Sequence, residues 1–267
     1  MTTATDPEKT GTAPVPRGAV TELPPRHHRT LRGYLFIPAV LTSVLVLLYF
    51  YVRGRELSSG EANRLNADAI LTATRQQIEL TVVSTALVLA IAIPLGILLT
   101  RPFARSITPP AIAVFNIGQA IPSIGLIVLM AVVWDIGFRP MVVALVAYTV
   151  LPVLRNTMVG LRQVDASVIE AARGMGMTKG AVLAKIEIPL AVPIIMAGLR
   201  TALTINVGTA TLGALVGAGT LGTLIVAGIV QNKQLILVVG AILVAVLALL
   251  VDYVAAIAEE RLRPRGL

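Results

Sequence analysis

The chain has 267 residues, of which 56% are hydrophobic and only 13% charged, with a net charge of +8. A soluble domain carries about 25% charged residues, so this composition excludes a water-soluble globule and requires much of the surface to face lipid. The absence of cysteine excludes disulfides and thiolate chemistry, and the only histidines, the adjacent pair His27 and His28, argue against a histidine metal cluster or a serine–histidine triad.

Residues 1–32 are polar and proline-bearing and read as a disordered cytoplasmic tail. Gly33–Val52 is an uninterrupted apolar run, long enough to cross about 30 Å of hydrocarbon as a helix. It is too long and too far from the start for a signal peptide, so a retained N-terminal transmembrane helix is expected. Residues 53–77 are mixed in charge and read as an external loop with room for a short helix. Residues 78–257 then hold five further apolar segments: Ile78–Thr100, Ala111–Val133, Pro140–Leu154, Leu190–Leu212 and Leu235–Ile257. Pro140–Leu154 is short and reaches full length only by borrowing polar residues at its cytoplasmic end. The stretch 208–230 is apolar but carries six glycines; each weakens a helix by about 1 kcal/mol. It reads as a broken or re-entrant element, with a continuation of the preceding span as the alternative. Pro94 and Pro122 are expected to kink their helices. The last residues, 258–267, form a basic tail placed in the cytoplasm.

Lysine and arginine set the orientation. With the 155–189 loop inside, Arg101, Arg105, Arg155, Arg162, Arg173, Lys179 and Lys185 are cytoplasmic, as are Arg261, Arg263 and Arg265. The expectation is an all-α, six-span protein of the cell membrane with both termini inside. Because the basic residues gather at the ends of apolar runs and not on an aromatic-interleaved surface, no nucleic-acid partner is expected.

The 155–189 loop is the longest polar stretch between spans, and it is patterned. Ser167-Val168-Ile169-Glu170 matches a capping box, which predicts a short helix from about Val168 through Ala171, Ala172 and Arg173. Gly174 and Gly176 are placed to stop it, Thr178 to cap a second helix, and Pro189 to end the unit and start the next span. A loop that only connects two spans has little need of a helix, a turn and a second helix. Such an element suits docking on a partner protein.

The run Glu170-Ala171-Ala172, three residues, Gly176, nine residues, Ile186, one residue, Ile188-Pro189 resembles the EAA loop of ABC importer permeases, with Ile188 where that pattern has leucine. The resemblance implies a type I importer permease fold, a five-helix core with one extra N-terminal helix here. It implies that residues 166–176 dock in a cleft of a cytoplasmic ABC ATPase subunit. It further implies a second permease subunit, identical or related, and an extracytoplasmic solute-binding protein that does the selecting. Ala171 and Ala172 would allow close approach, Glu170 would cap and offer a charge, and Gly176 would permit the turn. The chain has no G-x-x-x-x-G-K-[ST] phosphate loop, so ATP and magnesium belong to the partner and no cofactor or metal to this chain.

Gln119-Ala120-Ile121-Pro122-Ser123 and Gly208-Thr209-Ala210-Thr211-Leu212, leading into 215–222, resemble the permeases of glycine betaine, choline and related osmoprotectant importers. The likeness covers roughly residues 77–257. An amino-acid importer of the methionine type is the alternative; a membrane-embedded enzyme or an ATP-independent channel or scaffold are readings of other classes. With only 4% aromatic residues a tight cation–π cage is not expected. Polar residues within spans, Asn116, Gln119, Thr149, Thr201, Thr204, Asn206 and Thr209, together with Pro122, are candidates to line a weakly binding passage, with interhelical packing as the alternative. Arg200 lies roughly 16 Å along its span from Pro189, near mid-membrane, where a charge must face the bundle interior or water. Gating and a structural ion pair are both open for it, with Glu79 and Asp252, nearer span ends, as the weaker partners.

Overall fold

The computed structural model describes residues 31–262, with side-chain surroundings from Tyr34 onward. The expected N-terminal tail lies outside the described residues apart from Leu31 and Arg32, which already belong to the first helix, and the end of the basic tail, 263–267, also lies outside them. Every regular element among the described residues is helical.

Helix α1 (Leu31–Arg53) is the extra N-terminal span. It packs on the last helix of the chain, where the Tyr253 hydroxyl donates to the Tyr34 carbonyl at 2.6 Å and the Tyr34 hydroxyl donates to Glu260. Most of its remaining surface is exposed aliphatic and aromatic side chain, including Leu35, Phe36, Leu47 and Phe50. The short α2 (Ser59–Arg64) is held by a reciprocal cap: the Glu61 carboxylate accepts from the Ser58 N–H at 2.9 Å and from its hydroxyl at 2.6 Å. Those two bonds hold the Glu61 carboxyl below its ordinary range.

Helix α3 (Ala67–Leu99) begins at Ala67, not Ile78, so the expected external loop loses its second half. Asn66 caps the helix by accepting from the Ala69 N–H at 2.7 Å. The polar pair Gln76 and Gln77, which read as loop, lies inside α3 because both side chains find partners within the protein. The expected span 111–133 is two helices, α4 (Thr108–Ala120) and α5 (Ser123–Val133), bent by 93°. Pro122 has no N–H to continue the ladder and drives Ile121 to extended geometry, φ −73 and ψ 130. A kink was expected there; a full break is found.

Helix α6 (Phe138–Arg162) is longer at both ends than Pro140–Leu154 and sits at the centre of the bundle, against α3 on one side and α9 on the other. The patterned loop unit follows as α7 (Ala166–Gly174) and α8 (Lys179–Val182), then a π turn (Leu183–Glu187) and α9 (Ile188–Ala210). Pro189 stands in the first turn of α9, as expected of a span start, but it does not end the unit. Helix α8 passes through it into the span, because the Ile188 N–H reaches back to the Leu183 carbonyl and the widened turn accommodates a ring that an α-turn would exclude.

Beyond α9 the chain breaks as expected. A 3-10 turn (Thr211–Val216) ends at Gly217 in the left-handed region, φ +70, and a non-helical return leads to α10 (Gly222–Val230). That return brings the backbone back against its own start: a Cβ on Gly222 would stand 1.8 Å from the Thr211 carbonyl oxygen. Helix α11 (Gln234–Leu262) closes the fold against α9 and α10. Among the described residues five helices are long and apolar enough to cross a membrane, and the bent pair α4–α5 is a broken span, which would bring the number to six, or a re-entrant loop.

Two polar sets lie in the core. Asn206 of α9 donates to the Thr85 hydroxyl of α3 at 3.0 Å and accepts from the Thr149 hydroxyl of α6 at 3.2 Å. Gln77 of α3 donates to the Val207 carbonyl at 2.7 Å and accepts from the Leu221 N–H at 3.3 Å, while Gln76 accepts from the Thr220 N–H at 3.3 Å. All buried side-chain polar atoms among the described residues are partnered.

Candidate coupling helix and passage

Helix α7 is built by local hydrogen bonds at both ends. Its N-cap is Asp165, whose carboxylate accepts from the Ser167 N–H at 2.8 Å. That bond holds the Asp165 carboxyl below its usual range. The expected capping box at Ser167 and Glu170 is therefore displaced. A carboxylate two residues earlier is the stronger acceptor, and Ser167 becomes part of the first turn.

The C-terminus is a Schellman motif. The Met177 N–H donates to the Ala172 carbonyl at 3.2 Å, and the Gly176 N–H to the Arg173 carbonyl at 3.0 Å. Gly176 stands at φ +87, where an L side chain is strained; it alone supplies the stop, for Gly174 is an ordinary helical residue. Thr178 caps α8 as expected, its hydroxyl accepting from the Ala181 N–H at 3.3 Å.

The faces of α7 differ. Ser167, Glu170, Ala171 and Gly174, spaced at three- and four-residue intervals, are exposed, with Met175 at the end of the same surface. Ala172 is 1% exposed and points into the protein, so it seats the helix and is not free for a partner. That face is low in profile, with the Glu170 carboxylate as its one charge, and is flanked by the exposed Val168 and Arg173.

The candidates for the passage divide into three groups. Gln119, Thr204 and Thr209 come together with Tyr148, Ile205, Gly208 and Leu212 around a cavity of about 500 Å³ between α4, α6 and α9. Gln119 donates to the Tyr148 carbonyl at 3.0 Å, and Tyr148 is the one aromatic residue in the lining. Asn116 lies one turn before Gln119 on α4 and accepts from Arg155 at 2.6 Å, and Pro122 stands exposed at the break beyond. Thr149 and Asn206 are fully buried in the network with Thr85, where they join helices and do not line the cavity.

Arg200 is paired. Its guanidinium meets both Asp252 oxygens at 3.0 Å and Glu259 at 3.4 Å, both on α11. Asp252 is the principal partner and not a weak one: α11 runs alongside α9 and brings it level with Arg200. The Arg200 and Asp252 side chains remain 35% and 39% exposed and border a second hollow with Ala197, Thr201 and Thr204. Thr201 turns its hydroxyl back to the Ala197 carbonyl at 3.0 Å.

Sequence reasoning did not single out Gln76, Gln77, Glu187, Tyr148 or Glu259 for these places. The visible signal for the glutamines was an adjacent amide pair beside a long apolar run. For Glu187 it was a carboxylate embedded in a helix that enters the membrane.

Among the described residues no cluster of histidine, aspartate and glutamate is arranged to hold a metal.

Known proteins agree with this architecture. The chain is 38% identical to an osmoprotectant import permease protein of Salmonella typhimurium, over 89% of this chain and 98% of that one. It is 36% identical to a glycine betaine/carnitine/choline transport system permease protein of Bacillus subtilis, over 76% and 92%. Its fold matches a structure described as an inward-facing conformation of the MetNI methionine ABC transporter, with a TM-score of 0.67 at 24% identity, covering 78% of this chain and 100% of that one. The type I ABC importer permease fold expected from the sequence is thus observed. Residues 92–264 match the family described as the binding-protein-dependent transport system inner membrane component. The chain belongs to that family: it is a multi-pass permease of an ABC importer.

Proposed function

We propose that this permease carries a small osmoprotectant of the glycine betaine, choline and carnitine class into the cell, driven by ATP hydrolysed on a separate subunit. The named solutes of its relatives support the class of cargo. In this reading both termini are cytoplasmic, ATP and magnesium are held by an ATPase chain, a second permease completes the path, and a solute-binding protein delivers the cargo. Docking of α7 on the ATPase moves it as a lever, and the spans alternate between inward and outward opening. The cavity bordered by Gln119, Tyr148, Thr204 and Thr209 offers neutral polar groups, no charge and a single aromatic ring, which suits a passage that must release what it holds.

The observation that carries this reading is the exposed, low-profile face of α7, capped at Asp165 and stopped at Gly176. Its test is Ala171→Trp, which adds bulk on an exposed position and leaves the buried Ala172 in place. Membrane insertion is expected to be unchanged, while ATPase co-purified from a mild detergent falls about tenfold, as for a docking contact that loses its central fit. Unchanged co-purification and uptake would remove α7 from the coupling role. Uptake of labelled glycine betaine compared with labelled methionine in proteoliposomes tests the cargo.

A further inference from the structure

Beyond the chain that leads in from α6 and the seating of Ala172, the unit that carries α7 is joined to the membrane core at two places on its far side. One is covalent: α8 runs through the π turn into α9, so a displacement of the lever reaches α9 directly. The other is an ion pair. Glu187, the last residue of the π turn, is only 9% exposed and receives the guanidinium of Arg101, which follows the end of α3. The contact is two-pronged, Nη2 to Oε2 at 2.6 Å and Nη1 to Oε1 at 3.4 Å, and Arg101 Nε also donates to the Ile97 carbonyl in the last turn of α3 at 3.2 Å. Ile93, Ile97, Leu183 and Ile188 pack around buried Leu161, Ala191 and Ile195 beside it. These apolar neighbours strengthen the attraction by excluding water. Arg105 and Arg162 border the same cavity as Arg101, but Arg101 alone of the three makes an ion pair among the described residues.

We propose that the Arg101–Glu187 pair is the joint that transmits the lever's motion to α3, which makes both residues positioning residues of the transport cycle. This rests on the reading of α7 as the ATPase-docking helix. A two-pronged charged contact fixes direction as well as distance, whereas apolar side chains slide past one another. The far end of α3 shows what the motion would act on. Gln77 lies about 36 Å along the helix from Arg101. There Gln76 and Gln77 hold the backbone of Thr220 and Leu221, and Gln77 also reaches Val207 and the Thr211 hydroxyl, the latter at 3.4 Å. Those residues adjoin Gly208, Thr209 and Leu212 of the cavity wall. Helix α3 is thus a rod with a charged joint at the lever and an amide clamp at the broken segment. Each α9 is moved at its base by the π turn and at its other end by α3.

The experiment reconstitutes the complete transporter, this chain with its ATPase and solute-binding protein, in proteoliposomes and measures labelled glycine betaine taken up per ATP hydrolysed. Glu187→Gln and Arg101→Gln are expected to lower that ratio about fivefold, a coupling loss of ordinary size, while the ATPase still co-purifies and still hydrolyses. The double exchange Arg101→Glu with Glu187→Arg is expected to restore at least part of it. Arg105→Gln, which removes a neighbouring charge but no pair, should leave the ratio unchanged. Should Glu187→Gln not assemble, Arg101→Lys, which keeps the charge and loses the fork, is read in its place. A ratio at the wild-type value in the single variants, whether both activities fall together or neither changes, overturns the inference, as does an exchange variant no better than the single ones. A wild-type complex without an ATPase overturns the reading of α7 and this inference with it.

Discussion

The lever and the broken segment solve the same problem in opposite ways. Both are irregular stretches between long helices, and both must satisfy backbone groups that no regular ladder reaches. In the lever the partners are near in sequence: Asp165 serves Ser167, Thr178 serves Ala181, and the turn at Gly176 closes within α7 itself. The segment after α9 has local bonds too, such as the Ala218 N–H to the Gly213 carbonyl at 2.9 Å, but its Thr220 and Leu221 N–H groups are served from a distant helix, by Gln76 and Gln77 of α3. The lever is therefore self-contained and can move as a body. The broken segment is, in addition to its local bonds, clamped to α3. In the proposed cycle one region is displaced and the other responds.

The largest effect is expected where the remote clamp is cut. Gln77→Leu keeps the side chain's volume and removes both of its hydrogen-bonding ends, leaving the buried Leu221 N–H without a partner. An unsatisfied buried group costs roughly 1–3 kcal/mol, and the fully buried position gives water no access to repair it. Thermal unfolding in detergent, followed by size-exclusion chromatography, is expected to show a clear loss of stability, with the cavity wall at Thr209 and Leu212 disturbed as well. A Gln77→Leu protein as stable as the wild type would show that the segment, like the lever, stands on local bonds.

The same contrast explains what was legible in the sequence. The lever's helix–turn–helix, the cap at Thr178 and the stop at Gly176 were readable because each rests on residues a few positions apart. Even there the start was misplaced, since a serine–glutamate pattern and an aspartate two residues earlier compete for the same amides, and only geometry decides. The break at 208–230 was signalled by its glycines, but not where its backbone bonds go, because the partners Gln76 and Gln77 lie on a different helix and read as loop. Five of the six expected spans are single long helices and the other is a sharply bent pair, because Pro122 breaks its helix fully, while Pro189, in the first turn of α9 just after a π turn, interrupts nothing. A proline's consequence depends on whether the preceding turn can widen, and the sequence does not show that. Of the passage candidates, Gln119, Thr204 and Thr209 share one cavity, whereas Thr149 and Asn206 are turned inward. Which side of a helix meets a partner helix is a tertiary fact.

A smaller effect, confined to the lever, is expected at Gly176. An alanine there must adopt φ +87, which costs an L residue about 1–2 kcal/mol, and no neighbouring atom stands in its way. The strain falls on the turn between α7 and α8 and not on the core. Gly176→Ala is therefore expected to leave thermal stability near the wild-type value and to lower ATPase co-purification several-fold. Gly176→Asn, which tolerates the left-handed region, should recover part of it. If Gly176→Ala instead unfolds the whole protein, the lever is not the independent body that its local hydrogen bonds describe.

The smallest effect concerns the other end of α7. Asp165 is exposed, and its carboxyl is held below the ordinary range by the Ser167 bond. A carboxyl whose folded value is depressed contributes stability that is fully present above its unfolded value, near 3.9 for an aspartate, and is lost as pH falls through the folded value. Between pH 5 and 8 the cap is ionised in both states, so ATPase docking should carry no pH dependence from this group. Asp165→Asn keeps an oxygen in the capping position and should dock nearly as well as the wild type. Asp165→Ala removes the oxygen, frees the Ser167 N–H, and leaves Ser167 and Glu170 to form the capping box that Asp165 displaces. Helix α7 should then start later and dock slightly more weakly. Equal docking by the alanine and asparagine variants would mean that Ser167 replaces the cap in full, and that two overlapping local signals can each begin the lever.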